Sequence, residues 1–170
     1  MEKQDLQMRL ASWENLGPMR SLEDLLREMG QYASTLDAAA ASTIVELLCD
    51  LERDRSSLLG PLAEFIDIYA KLFPEALSSE LLRKIGPNGP PILVELLGSA
   101  RTAATVEALR RQVSLEQADE DLLVALASAL GEIGSPEAIT MLHELLHRPA
   151  LPESARREIQ IAFKNLGHSV

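Results

Sequence analysis

The residues best suited to chemistry are His143-Glu144-Leu145-Leu146-His147. Two histidines one helical turn apart can both ligate a zinc ion, and the intervening glutamate can take a proton from a zinc-bound water. A third ligand would have to come from further along the chain, with Glu153 and Glu158 the nearest candidates. The segment's own pattern argues for a different role. At about 100° per residue, Ile139, Leu142, Leu145 and Leu146 share one helix face, with His143, His147 and Thr140 on its polar flank. Arg148-Pro149 then stops the helix. Two histidines on the polar flank of an ordinary amphipathic helix need no metal to explain them.

HELLH resembles the signature of zinc metallopeptidases, which would make His143 and His147 ligands and Glu144 the general base. This chain departs from that family after the second histidine: no glycine or histidine extension follows, and nothing upstream reads as a substrate-positioning edge strand. The other candidates are weaker. Cys49 sits beside Leu47, Leu48 and Leu51, the setting of a small core residue rather than an activated thiol. Ser99 lacks a GxSxG elbow, and neither a P-loop nor a GxGxxG run is present. Glu52-Arg53-Asp54-Arg55 reads as a solvated helix end with local ion pairs. Gln117-Ala118-Asp119-Glu120-Asp121 places negative charge at a helix start, where the dipole favours it, and could also belong to an acidic docking surface.

The elements carrying these residues are helices. Only 4% of the 170 residues are aromatic, and no stretch alternates apolar and polar over a strand's length. Leu6, Leu10, Trp13 and Leu16 form a first stripe, ended by Gly17-Pro18. Ser21-Leu22-Glu23-Asp24 resembles a capping box ahead of Leu22, Leu25, Leu26 and Met29. Asp37 is placed to cap a third helix through Ile44, Leu47, Leu48 and Leu51. Gly60-Pro61 opens a fourth that buries Leu62, Phe65, Ile66, Tyr69 and Leu72/Phe73, and Pro74-Glu75 a fifth that closes near Ile85-Gly86. After the break at 86–91 come helices at about 91–98, 103–114, 119–133, 136–148 and 153–166. The expected organisation is an N-terminal helical part, 1–86, and a C-terminal part, 90–170, joined in one continuous domain.

Self-comparison is informative. Leu126, Ala129, Leu130, Ile133 and Gly134 recur as Ile159, Ala162, Phe163, Leu166 and Gly167 at one constant offset of about thirty residues. Val94 and Leu96 precede Val124 and Leu126 by a similar step, and Pro74-Glu75-Ala76-Leu77 echoes Pro136-Glu137-Ala138-Ile139. The unit Leu122–Gly134, Ser135-Pro136-Glu137-Ala138-Ile139, Leu142, Leu145-Leu146 resembles a HEAT-like repeat of the short phycobilisome-lyase type, most clearly over 118–167. That resemblance implies a right-handed solenoid of roughly ten helices with a concave surface of B helices, the N-terminal helices being degenerate repeats or a bundle-like cap. It also implies noncatalytic protein binding as a scaffold, with tetrapyrrole or other small-ligand binding as the family's minority alternative. A zinc-dependent hydrolase using 143–147 is the rival from the enzyme class.

Charge narrows the partner. Sixteen Lys and Arg against 26 Asp and Glu give a formal net charge of −10, so nucleic acid and anionic membranes are repelled and a partner with a basic surface is favoured. One cysteine excludes a disulfide framework and a multi-Cys zinc site. With no apolar leader at Met1-Glu2-Lys3-Gln4-Asp5 and no apolar run of spanning length, the expectation is a soluble cytoplasmic protein with no cofactor. Ile161 lies opposite the buried stripe Ala155, Ile159, Ala162, Phe163 and Leu166 of the last helix. It is therefore the candidate for a contact beyond this fold, in a homodimer or with another protein.

Overall fold

The computed structural model describes residues 1–15, 21–85, 90–112 and 118–168. The protein is all-α: the described residues contain ten helices and no strand. In chain order these are α1 (Lys3–Asn15), α2 (Leu22–Ala33), α3 (Ala40–Arg53), α4 (Leu59–Leu72), α5 (Pro74–Lys84), α6 (Pro91–Ala100), α7 (Ala103–Gln112), α8 (Glu120–Ile133), α9 (Pro136–Leu146) and α10 (Glu153–Asn165). None of them is long and apolar enough to cross a membrane. The chain divides into two compact units, Met1–Glu80 and Leu81–Val170. Leu16, Gly17-Pro18 and most of the proposed break at 86–91 lie outside the described residues.

In the first unit α4 is central, packing against α1, α2 and α3. Its sequence explains the position: Leu62, Phe65, Ile66 and Tyr69 recur at helical spacing, and each is fully buried. Phe65 holds the aromatic core together, with its ring centroid 5.7 Å from Trp13, 5.8 Å from Tyr32 and 6.4 Å from Tyr69. Helix α2 departs from the stripe expected of it. Leu22 is exposed and Leu25 and Leu26 are half-buried, while Met29 is buried as expected and the helix runs on to bury Ala33. Tyr32 accounts for the extension: its ring joins the aromatic core, and its hydroxyl donates to Asp5 Oδ2 at 2.8 Å. Ser21 does cap α2, accepting from the Asp24 N–H at 3.2 Å. Asp37 does not cap α3, which begins at Ala40 without a side-chain cap. The Asp37 carbonyl accepts both the Ala40 N–H at 3.1 Å and the Tyr69 hydroxyl at 2.7 Å, which ties the turn before α3 to α4. Leu72 at the end of α4 is exposed.

Burial, reinforced by the Asp5 carboxylate, pushes the Tyr32 hydroxyl up to about 12. Burial and the nearby Asp37 charge push Tyr69 up to about 12 as well. An acid whose folded pKa lies above its unfolded value contributes stability that is complete below pH 10 and is lost as pH rises towards 12. For the fully buried Tyr69 the loss is on the order of 2 kcal/mol. These are the chain's two tyrosines. Tyrosinate absorbance is therefore expected to stay low through pH 10 and to rise together with loss of helical circular dichroism. An ordinary titration near 10 in folded protein would contradict this.

In the second unit α6 packs on α8 and α8 on α10, while α7 packs on α9. The helices so form two layers, α6–α8–α10 and α7–α9. Contact within the first layer is close because small residues meet. A Cβ added at Gly98 would lie 3.0 Å from the Ala129 Cα, and one at Gly131 would lie 2.7 Å from the Ala162 Cβ. Equivalent positions carry equivalent duties: Leu93, Leu126 and Ile159 are buried, as are Leu97, Leu130 and Phe163. Left-handed residues end all three helices at equal spacing, Arg101 at φ 51°, Gly134 at 62° and Gly167 at 75°. Asp119 caps α8 by accepting from the Leu122 N–H at 2.9 Å, and Ser135 caps α9 by accepting from the Ala138 N–H at 3.2 Å.

This alignment corrects the step drawn from Val94 to Val124. Val94 is fully buried, whereas Val124 is half-buried and lines a surface recess, so α6 pairs with α8 three residues further along, Leu93 matching Leu126. Arg101 also occupies a position where its two counterparts are glycines. A left-handed side-chain-bearing residue is disfavoured by roughly 1–2 kcal/mol, partly offset by the extra chain entropy that glycine loses. Arg101→Gly is expected to raise the stability of the second unit by about 1 kcal/mol in a urea titration. A fall would show that the Arg101 side chain contributes more than its backbone costs.

Candidate functional site

The HELLH segment straddles the end of α9. Its helix buries Ala138, Met141, Leu142 and Leu145, while Ile139 and Leu146, expected on that face, are half-buried. Met141 takes their place, rotating the buried face slightly from the expected one. The imidazole of His143 lies against the Phe163 ring of α10, centroids 4.6 Å apart. The Glu144 carboxylate receives Arg110 Nη1 from α7 at 3.1 Å. His147 is the C-cap of α9, and its Nδ1 is 2.7 Å from the His143 carbonyl oxygen. The three side chains are thus engaged by an aromatic ring, a guanidinium and the helix terminus. Among the described residues no three His, Cys, Asp or Glu side chains are grouped to hold a metal, so Glu153 and Glu158 do not complete a site with the histidines. Glu158 lies instead on the α6–α8–α10 surface.

The remaining candidates are distributed. Cys49 is half-buried on α3 in the first unit, among the buried Leu47, Leu48 and Leu51. The histidines, 143, 147 and 168, all belong to the second unit. Ser99 lies within α6. At the end of α3, Arg53 reaches Asp50 at 2.8 Å and Asp54 at 3.6 Å, forming a local ion-pair cluster on the surface. Of the acidic run at 117–121, Gln117 is outside the described residues and Asp119 is engaged in capping. Glu120 accepts a hydrogen bond from Ser154 of α10.

Two recesses cross the α6–α8–α10 surface. The first, about 300 Å³, is lined by Glu95, Glu120, Asp121, Ser128, Ser154 and Glu158 among others. The second, also about 300 Å³, holds Ile161 against Gly131 and Ala162, with Arg101, Glu132 and Glu158 around it. Ser128 and Glu158 belong to both, so the recesses run into one another. Ile161 is 44% exposed, which puts an aliphatic side chain at a surface otherwise rich in carboxylates. The chemistry offered is hydrogen-bond acceptance and negative charge beside one apolar contact. It suits binding of a cationic group.

The sequence singles out Glu120, Asp121 and Ile161 separately, and Glu158 only as a zinc-ligand candidate, but not Glu95, because the acids of this surface come from three different helices. The signal was available in the register. Glu95, Ser128 and Ile161 are equally spaced along the chain and stand at matching positions of α6, α8 and α10. Extending the apolar alignment to the polar positions would have brought them together.

A scan against protein-family models, a search of curated proteins and a search of solved structures each return no match to this chain.

Proposed function

We propose that this protein is a noncatalytic protein-interaction module, built as a HEAT-like solenoid, that binds a basic segment of a partner protein. The observation that carries the reading is the twice-made contact of the second unit, Gly98 on Ala129 and Gly131 on Ala162. Identical stacking of successive helices is how a repeat array builds a continuous surface that a single helix pair cannot. The binding face is that of α6, α8 and α10, where Glu95, Glu120, Asp121 and Glu158 supply the charge and Ile161 an apolar anchor. The expected concave face of B helices, α7 and α9, carries the Arg110–Glu144 pair and the two exposed histidines, a mixed charge pattern less suited to a basic partner. A single cysteine and the net charge of −10 fit a cytoplasmic setting and argue against a nucleic-acid or membrane partner.

The test is affinity capture from lysate of the natural source, followed by titration of the purified partner. One near-stoichiometric protein is expected. Its binding should weaken as salt shortens the Debye length from about 10 Å at 0.1 M to about 3 Å at 1 M. Combining Glu95→Gln, Glu158→Gln and Ile161→Ser should weaken it at least about tenfold, roughly 1.4 kcal/mol. Capture of no partner, or a partner bound equally well by the triple variant, would remove this reading. A homodimer that is lost in Ile161→Ser, seen by light scattering, would assign the surface to a second copy instead.

A further inference from the structure

We draw no further inference here: the strongest candidate, the ring cluster of His143, Phe163 and His168 where α9 and α10 end, carries no ligand chemistry because among the described residues no third His, Cys, Asp or Glu is grouped with the two imidazoles to hold a metal, and its ring contacts are those of side-chain packing.

Discussion

Phe65→Ala is expected to destabilise the first unit by about 3–5 kcal/mol, enough to leave it marginal or unfolded at room temperature. The ring is fully buried at the middle of α4, and three other aromatic rings stand within 6.4 Å of it, centroid to centroid. Truncation removes its transfer free energy and leaves a cavity whose walls are rigid rings, which collapse poorly. All three of those rings are also tied by hydrogen bonds, Trp13 to Glu28, Tyr32 to Asp5 and Tyr69 to the Asp37 carbonyl, so they cannot easily move in to fill the space. The readout is built into the molecule. Trp13 is the chain's one tryptophan, 5.7 Å from Phe65, and its fluorescence during a urea titration reports the first unit. Phe65→Leu keeps most of the apolar volume and should lose roughly half as much or less. An unchanged midpoint in Phe65→Ala would mean that the ring cluster is not the core of this unit.

What could be read from the sequence divides along physical lines. Helices whose limits are set locally are legible: the buried Leu6, Leu10 and Trp13 of α1 and the helix starts at Ser21, Asp119 and Pro136 all depend on residues within one turn of the feature. Errors arose where a distant contact overrode a local preference. Asp37 has the chemistry of a cap, but α3 begins only at Ala40, after a turn whose Asp37 carbonyl accepts the Tyr69 hydroxyl from thirty-two residues away. The buried face of α2 runs on to Ala33 because Tyr32 belongs to an aromatic core assembled from three helices, α1, α2 and α4, and from Phe73 just after α4. The register of α6 slipped because Arg101 stands where the other two helices end in glycine, hiding the landmark. HELLH shows the same division. Its spacing is a local fact, but the Phe163 and Arg110 contacts that define its surroundings are supplied by α10 and α7.

Gly131→Leu is expected to cost the second unit about 3 kcal/mol or more, the upper part of the range for overpacking. Any side chain here starts from a Cβ 2.7 Å from the Ala162 Cβ and 3.2 Å from its Cα, and the second of these is backbone that cannot rotate away. A leucine cannot be accommodated unless α8 and α10 separate, and separation exposes Leu130, Ile159 and Phe163, all fully buried. Helix propensity alone predicts the opposite sign, since glycine inside a helix is disfavoured by about 1 kcal/mol relative to alanine, and leucine ranks close behind alanine. Gly131→Ala sets the two effects against each other, and a net loss is expected because the alanine Cβ already collides. Pairing it with Ala162→Gly removes the other half of that collision, so the double variant should be more stable than the sum of the single changes implies, a coupling visible in a double-mutant cycle. Thermal melts followed by circular dichroism give the stabilities, and amide exchange in α8 and α10 shows where the structure opens. Additive behaviour in the cycle would place Gly131 away from Ala162. Because Gly131 also lines the recess that holds Ile161, the proposed partner binding should be lost in Gly131→Leu even at temperatures where the chain remains folded.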